Sequence, residues 1–201
     1  MRSGPPTTDA LHVIVLAAGS STRFGSPKQL ADIGGRPMLA LALDRATELA
    51  GRHAVTVVLG AGYALLVPFV QAASVACAIN LDFAEGIAGS IRTGLENVPV
   101  GTRGALITLA DQVAVTVEDL RQLVARWEQQ PDRIVAAQYA GTTGVPAIFP
   151  SDLFRELAEL QGDRGARAVL MRHPERVISV PMPAAAQDID TLADLAFNAP
   201  A

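Results

Sequence analysis

The sequence has few of the residues on which several classes of function depend. Cys77 is the only cysteine among 201 residues, which excludes an intrachain disulfide and any metal site built from several cysteines. A lone cysteine also favours a reducing compartment, so we expect a cytoplasmic protein with Cys77 as a buried core thiol. Phe, Trp and Tyr make up only 4% of the chain, which argues against modules that stack nucleic-acid bases on exposed rings.

Positive charge and long apolar runs are also scarce. The formal net charge is −4, so we expect no basic face for a nucleic-acid partner. No apolar run approaches the roughly 20 residues of a membrane span, and we expect no membrane association. Residues 1–10 lack the apolar core of a signal peptide and predict a flexible tail before a single domain over 11–201. No apolar surface stripe stands out, so a monomer is expected.

Apolar segments of strand length alternate with segments of helical pattern. The predicted strands are 11–18, 54–60, 75–79, 104–110, 133–139, 145–149 and 176–182. The predicted helices are 37–50, 63–73, 89–98, 116–129, 151–160 and 163–172. Uncharged strands alternating with helices predict an α/β fold with three layers, in which helices cover both faces of a mostly parallel sheet.

The loop after the first strand, residues 19–28, has the composition of a phosphate-binding loop. Gly19 allows close approach of the backbone, and Arg23 and Lys28 supply positive charge. The spacing is not that of a Walker A motif. From these features alone, a solvated turn with two surface cations is an equally good interpretation.

Carboxylates follow two later segments. Asp111 directly follows an uncharged strand and should lie at the rim of the sheet, where it could hold Mg²⁺. A turn or helix-capping aspartate is the alternative. Asp188 and Asp190 share one side if their segment is extended, although Asp190 could instead cap the last helix. Gly60-Ala61-Gly62 resembles a dinucleotide fingerprint but lacks its third glycine, and a tight turn is predicted there.

These loops, taken in order, resemble the signature of the MobA-like nucleotidyltransferases. The pattern L-A-A-G-x-S-x-R-x-G followed by a lysine is matched by Leu16, Ala17, Ala18, Gly19, Ser21, Arg23, Gly25 and Lys28. Later segments of the family are matched by Asn80, Gly86, Ser90, Gly94, Leu95, Asp111 and Gln112. The Gly-Asp-x-Gly-Ala-Arg and Asp-Ile-Asp-Thr segments, 162–167 and 188–191, most resemble molybdenum-cofactor cytidylyltransferases. The similarity extends from about residue 12 to residue 197.

The resemblance implies a Rossmann-like fold of the nucleotide-diphospho-sugar transferase type and a magnesium-dependent enzyme. Such an enzyme moves CMP from CTP to a phosphorylated acceptor, here molybdopterin, and releases pyrophosphate. An apo-molybdenum hydroxylase is the further partner that this product implies. Lys28 and Arg23 become the catalytic residues at the triphosphate, and Asp111 binds Mg²⁺ with Asp190 and Asp188. The nucleotide pocket takes Leu16, Ala17, Ala18, Gly19, Ser21, Arg23, Lys28, Asn80 and Ser90.

Two departures from the subfamily concern the acceptor. The subfamily usually has proline at the position of Val113 and often has histidine at that of Val145. Alternatives therefore remain: GTP as the donor for a guanine dinucleotide, or CTP with a sugar or polyol phosphate. A carrier that binds the pterin cofactor without catalysis is an alternative of another class.

Overall fold

Seven strands form one twisted layer in the computed structural model, which describes residues 10–19 and 27–189. Their order across the sheet is β5-β4-β1-β6-β8-β7-β9, and β2 and β3 form a separate two-stranded ribbon. Among the strands described, β8 alone runs antiparallel to its neighbours in the large sheet. The strands are β1 (Leu11–Ala17), β2 (Asp32–Ile33), β3 (Arg36–Pro37), β4 (Val55–Leu59), β5 (Ala76–Ile79), β6 (Gly104–Leu109), β7 (Ile134–Tyr139), β8 (Thr142–Pro150) and β9 (Val177–Pro181).

Helices cover both faces of this sheet. They are α1 (Met38–Ala50), α2 (Tyr63–Ala73), α3 (Ile87–Leu95), α4 (Val117–Gln129), α5 (Phe154–Ala158) and α6 (Arg167–Arg172). Alternate residues of β1 pack into different clusters: Val13 and Val15 face α1, α2 and α4, whereas Ile14 and Leu16 face α3, α5 and α6. The predicted three-layer α/β fold with a mostly parallel sheet is therefore confirmed.

The sequence specifies α4 most clearly, and its first turn shows why. The Thr116 hydroxyl accepts a hydrogen bond from the backbone N–H of Asp119, and the Asp119 carboxylate accepts one from the backbone N–H of Thr116. This reciprocal capping box satisfies two donors that a helix start otherwise leaves unpaired. The predicted helix 116–129 is confirmed to within one residue.

The predicted elements after residue 139 are less accurate. The strand predicted over 145–149 is the nine-residue β8, joined to β7 by a two-residue hairpin at Ala140 and Gly141. Both hairpin residues have positive φ, as the twist of a tight antiparallel connection favours. The long helices predicted over 151–160 and 163–172 are shorter, since α5 and α6 occupy only their central or final parts.

The expectation of a buried thiol at Cys77 is wrong. Cys77 lies on β5, the edge strand of the sheet, and its side chain is exposed. An apolar run marks a strand in the sequence but does not tell a central strand from an edge one. Partial burial still raises the pKa of the thiol.

Several expectations fall on parts of the chain outside the described residues. These are most of the predicted tail, residues 1–9, and four signature or metal-site residues: Ser21, Arg23, Gly25 and Asp190. The division between tail and domain at residue 11 stays a prediction. Within residues 10–19 and 27–189, no helix has the length and apolar character needed to cross a membrane.

Candidate active site

A cavity of about 580 Å³ opens at the carboxyl ends of β1 and β6. Predicted site residues that line it are Leu16, Ala17, Ala18, Gly19, Lys28, Ser90 and Asp111. Residues that sequence reasoning did not assign to the site also line it: Gln29, Met38, Phe83, Ala84, Gly86, Ile87, Leu109, Ala110 and Asp163. The volume lies within the roughly 300–1,000 Å³ typical of small-molecule sites.

The buried side-chain amide of Gln29 holds the start of the first loop, at Ala17 and Gly19. Gln29 is 2% exposed, and its side-chain Nε2 donates to the carbonyls of Ala17 at 2.8 Å and Gly19 at 3.3 Å. A Cβ at Gly19 would meet no atom of the described residues within 4 Å. Contacts with residues 10–19 and 27–189 therefore do not require glycine here, whereas a ligand lying against the backbone would.

Lys28 and Asp111 form a short salt bridge in the cavity. The Lys28 Nζ lies 2.6 Å from Asp111 Oδ2, with side chains only 16% and 18% exposed. The same ammonium donates to the carbonyl of Ile189 at 3.2 Å. Asp111 Oδ1 is buried and, among the described residues, has no hydrogen-bond partner. A shielded carboxylate with one oxygen in use and one unused is suited to receive a cation.

Of the other carboxylates predicted for the metal, Asp190 lies outside the described residues, and Asp188 belongs to no metal-binding cluster within them. Within residues 10–19 and 27–189, no group of three or more Asp, Glu, His or Cys side chains could hold a metal ion. The side chain of Asp188 is exposed. Burial raises the pKa of the Tyr139 hydroxyl, and the negative charge of Asp188 raises it further. Asp188 therefore interacts electrostatically with Tyr139 at the end of β7. Its backbone neighbour Ile189 approaches Asp111 instead, donating from its N–H to the Asp111 carbonyl at 3.2 Å.

Asn80 and Ser90 form a buried polar pair at the other end of the cavity. The Asn80 side-chain amide donates to Ser90 Oγ at 3.0 Å, and its oxygen accepts from the backbone N–H of Asp82 at 3.0 Å. Ser90 lines the cavity, and Asn80 lies behind it with 5% exposure. Asn80 thus orients Ser90 and the turn at Asp82, which borders the cavity residue Phe83.

The start of α3 is held under a second loop at the same end. Gly86 has a φ of +107°, and the next residue begins the helix. A Cβ at Gly86 would lie 2.4 Å from both the carbonyl carbon and the oxygen of Gly162. Ala88 donates its N–H to that same carbonyl at 3.1 Å. The 162–163 loop therefore closes onto α3 only because residue 86 has no side chain.

We expect Gly86→Ala to destabilise the protein more than Gly35→Ala, by about 1–3 kcal/mol, because overpacking adds to the backbone strain. Gly35 is a matched control: its φ is +86°, but a Cβ there would meet nothing within 4 Å. Thermal or urea unfolding of the two variants measures the difference. Equal losses of stability would show that the 162–163 loop can move aside at no cost.

The predicted turn at Gly60-Ala61-Gly62 is confirmed. Gly62 has a φ of +67°, and the N–H of Tyr63 donates to the Gly60 carbonyl at 3.1 Å as α2 begins. A Cβ at Gly60 would lie 2.4 Å from the carbonyl oxygen of Ala18. This glycine therefore permits close packing against the first loop.

Comparison with proteins of known sequence reveals relatives of similar and of greater length. Purine catabolism protein PucB from Bacillus subtilis (strain 168) is 29% identical over 167 residues, 78% of this chain and 78% of PucB. Nicotine blue oxidoreductase from Paenarthrobacter nicotinovorans is 27% identical over 191 residues, 89% of this chain and 91% of that protein. Bifunctional protein GlmU from Clavibacter sepedonicus is 31% identical over 129 residues, 63% of this chain. The chain spans about a quarter of GlmU, since the match covers 26% of its length.

Solved structures share the fold over almost the whole chain. The homologue of Mycobacterium tuberculosis Rv0371c from Mycobacterium sp. strain JC1 superposes with a TM-score of 0.80 at 26% identity, covering 94% of this chain and 96% of that one. Rv0371c of M. tuberculosis H37Rv in complex with manganese gives 0.74 at 29% identity, covering 94% and 97%. Residues 13–177 match the family described as the MobA-like NTP transferase domain. This match includes both Lys28 and Asp111, and the chain belongs to the MobA-like NTP transferase domain family.

Proposed function

We propose that this protein transfers CMP from CTP to molybdopterin and releases pyrophosphate. The observation that carries the proposal is the shielded pair of Lys28 and Asp111, 2.6 Å apart beside a cavity of about 580 Å³. Family membership supports the use of a nucleoside triphosphate, and the residues of segments 162–167 and 188–191 support the pterin acceptor.

In the proposed reaction, a phosphate oxygen of the acceptor attacks the α-phosphorus of CTP. A new bond from oxygen to the α-phosphorus forms while the bond to the bridging oxygen breaks, and its electron pair leaves with pyrophosphate. A phosphate nucleophile is already ionised at neutral pH, so no general base is required. Because two anions must meet, the protein contributes mainly positioning and charge neutralisation.

Each site residue has a role in this proposal. Lys28, with Arg23 of the undescribed segment, binds the triphosphate and stabilises charge on the departing pyrophosphate. Ala18 and Gly19 line the nucleotide pocket, and Ser90, oriented by Asn80, lies near the base.

Asp111 is the proposed ligand of Mg²⁺, and its Oδ1, which has no hydrogen-bond partner among the described residues, fits that role. Asp190 and Asp188 remain proposed as further ligands. When bound, the metal ion would neutralise negative charge on the phosphates. A divalent cation is also supported by the manganese complex of Rv0371c, which is 29% identical to this chain.

Thermal unfolding with Mg²⁺ and CTP, GTP, UTP or ATP tests the nucleotide site. A nucleotide at a hundred times its Kd should stabilise the fold by about 2.7 kcal/mol, which raises the Tm of a chain this size by about 5–10 °C. We expect this rise with CTP and its loss in Arg23→Ala. A rise with GTP alone would overturn CTP as donor.

The absence of any rise, in a protein that unfolds cooperatively, would contradict an enzyme that binds its nucleotide first and favour a carrier. Because one relative of nearly equal length is named an oxidoreductase, NADH and NADPH belong in the same screen. A rise with either of these and with no triphosphate would contradict the proposed nucleotidyl transfer and favour hydride transfer from a nicotinamide.

A further inference from the structure

Arg45 of α1 binds the loop that carries Asp111. A single nitrogen, Nη1, donates to the carbonyls of Gln112 at 3.1 Å, Val113 at 2.9 Å and Val115 at 2.6 Å. Burial lowers the pKa of this guanidinium to about 10, so it still carries its charge at neutral pH. Among the described residues these three carbonyls are its hydrogen-bond partners, and no carboxylate forms a salt bridge with it.

Placing a partly buried cation without a carboxylate partner between a helix and a loop costs free energy. Desolvation disfavours the charge, and only the three carbonyl dipoles offset that cost. An apolar side chain would fill the same space without this penalty. What the guanidinium adds is orientation, because it turns three carbonyls of one short loop toward a single point.

That orientation extends to the catalytic rim. The Asp111 carbonyl accepts from the N–H of Val113 at 2.9 Å and from the N–H of Ile189 at 3.2 Å. Asp111 is thus the first residue of a loop whose next carbonyls are bound by Arg45, and its carboxylate lies against Lys28. If the carbonyls lost their donor, they would turn toward water, and the loop would carry the carboxylate with it.

We propose that Arg45 is a positioning residue: through the loop 111–115 it holds the Asp111 carboxylate against Lys28 and the cavity. The inference rests on the proposed function for the chemical role of Asp111. A misplacement of about 1 Å in a reacting group can cost on the order of a hundredfold in rate. Arg45 would therefore influence turnover although it does not line the cavity.

The test compares Arg45→Met with Arg133→Met in the full-length protein. Arg133 is a matched control, because its Nη2 also donates to a backbone carbonyl, that of Glu175 at 2.7 Å. It precedes β7, which runs parallel to β6, and so lies at the end of the sheet opposite the cavity. Lys28 is the only lysine of the chain, so protein labelled with [¹³C]lysine gives one side-chain Cε signal that reports on its contact with Asp111. Steady-state kinetics with CTP provides the second readout.

We expect Arg45→Met to shift the Lys28 signal and to lower kcat at least tenfold, with KM for CTP within about threefold of wild type. Arg133→Met should leave the signal and kcat unchanged. Because all three bonds start from one nitrogen, the ammonium of Arg45→Lys, with its three donors, should recover much of the lost kcat. If Arg45→Met does not fold, Arg45→Gln removes the charge and leaves a shorter side chain whose NH₂ group can still donate, and the same shift is expected.

An unchanged Lys28 signal and kcat in folded Arg45→Met or Arg45→Gln would overturn the inference, even if the Tm falls. So would equal changes in the Arg133 control. If wild type shows no turnover, the proposed function fails, but the Lys28 signal still decides whether Arg45 positions Asp111.

Discussion

Asp111→Asn should lower magnesium-dependent turnover at least a thousandfold, about 4 kcal/mol of transition-state stabilisation, in a protein that still folds. The substitution removes the negative charge and the oxygen proposed to receive the metal ion, which no other described residue contacts by a hydrogen bond. It keeps a side-chain oxygen that can accept from Lys28, now 2.6 Å away, and it preserves the shape of the residue. The fold should survive because Asp111 lies at the rim and not in the core. Pyrophosphate release per folded molecule, with Tm from circular dichroism, separates the two effects.

Asp44→Asn is a suitable control for this experiment. Asp44 pairs with Arg36 on the surface of α1, with both side chains about half exposed, so its loss should cost little. We expect near-normal turnover in that variant. If Asp111→Asn instead unfolds, or turns over at the wild-type rate, Asp111 is a structural turn residue and the proposed metal site is wrong.

Lys28→Met should reduce turnover at least tenfold, about 1.4 kcal/mol, because the leaving pyrophosphate loses its ammonium partner. In the absence of nucleotide, by contrast, Lys28→Met should strengthen the binding of a divalent metal ion. In the absence of nucleotide, the Lys28 ammonium occupies the Asp111 carboxylate, so a divalent cation must compete with it. Removing the ammonium should tighten Mn²⁺ binding and weaken the binding of the triphosphate.

Electron paramagnetic resonance measures free Mn²⁺ with and without CTP and distinguishes these two changes. In wild-type protein labelled with [¹³C]lysine, the single Lys28 signal should also shift when Mg²⁺ and CTP are added together. Full activity in Lys28→Met would remove this residue from the mechanism. Weaker Mn²⁺ binding in the variant would mean that Lys28 supports the metal site and does not compete with it.

The parts of the fold that were predictable are those where one local signal agrees with the packing. The apolar run of β1 is buried on both faces, and its central residues are fully buried. The side chains of Thr116 and Asp119 form the capping box at which α4 begins. Position in the sheet was not predictable: β5 reads as an apolar strand, but it lies at the edge and exposes Cys77.

Part of the candidate site could be predicted from charges that follow strands and from the family resemblance. Lys28 and Asp111 were predicted in this way and both line the cavity, but their pairing across 83 positions of sequence is a product of the fold. Gln29 and Arg45 were missed because each acts through backbone carbonyls. A carbonyl is present at every residue, so the sequence carries no sign of which one a side chain will meet. The one sequence feature that pointed to Gln29 is its position next to Lys28, a predicted catalytic residue.

The most direct test of nucleotidyl transfer follows two labels in CTP. The protein is incubated with Mg²⁺, molybdopterin and CTP labelled at either the α- or the γ-phosphorus, and the products are separated. We predict that the α-label moves to the pterin and the γ-label appears in pyrophosphate, in equal amounts, and that both are lost in Asp111→Asn. If neither label moves in a protein that binds molybdopterin, or if electrons pass to an acceptor instead, the protein is not a cytidylyltransferase for this acceptor.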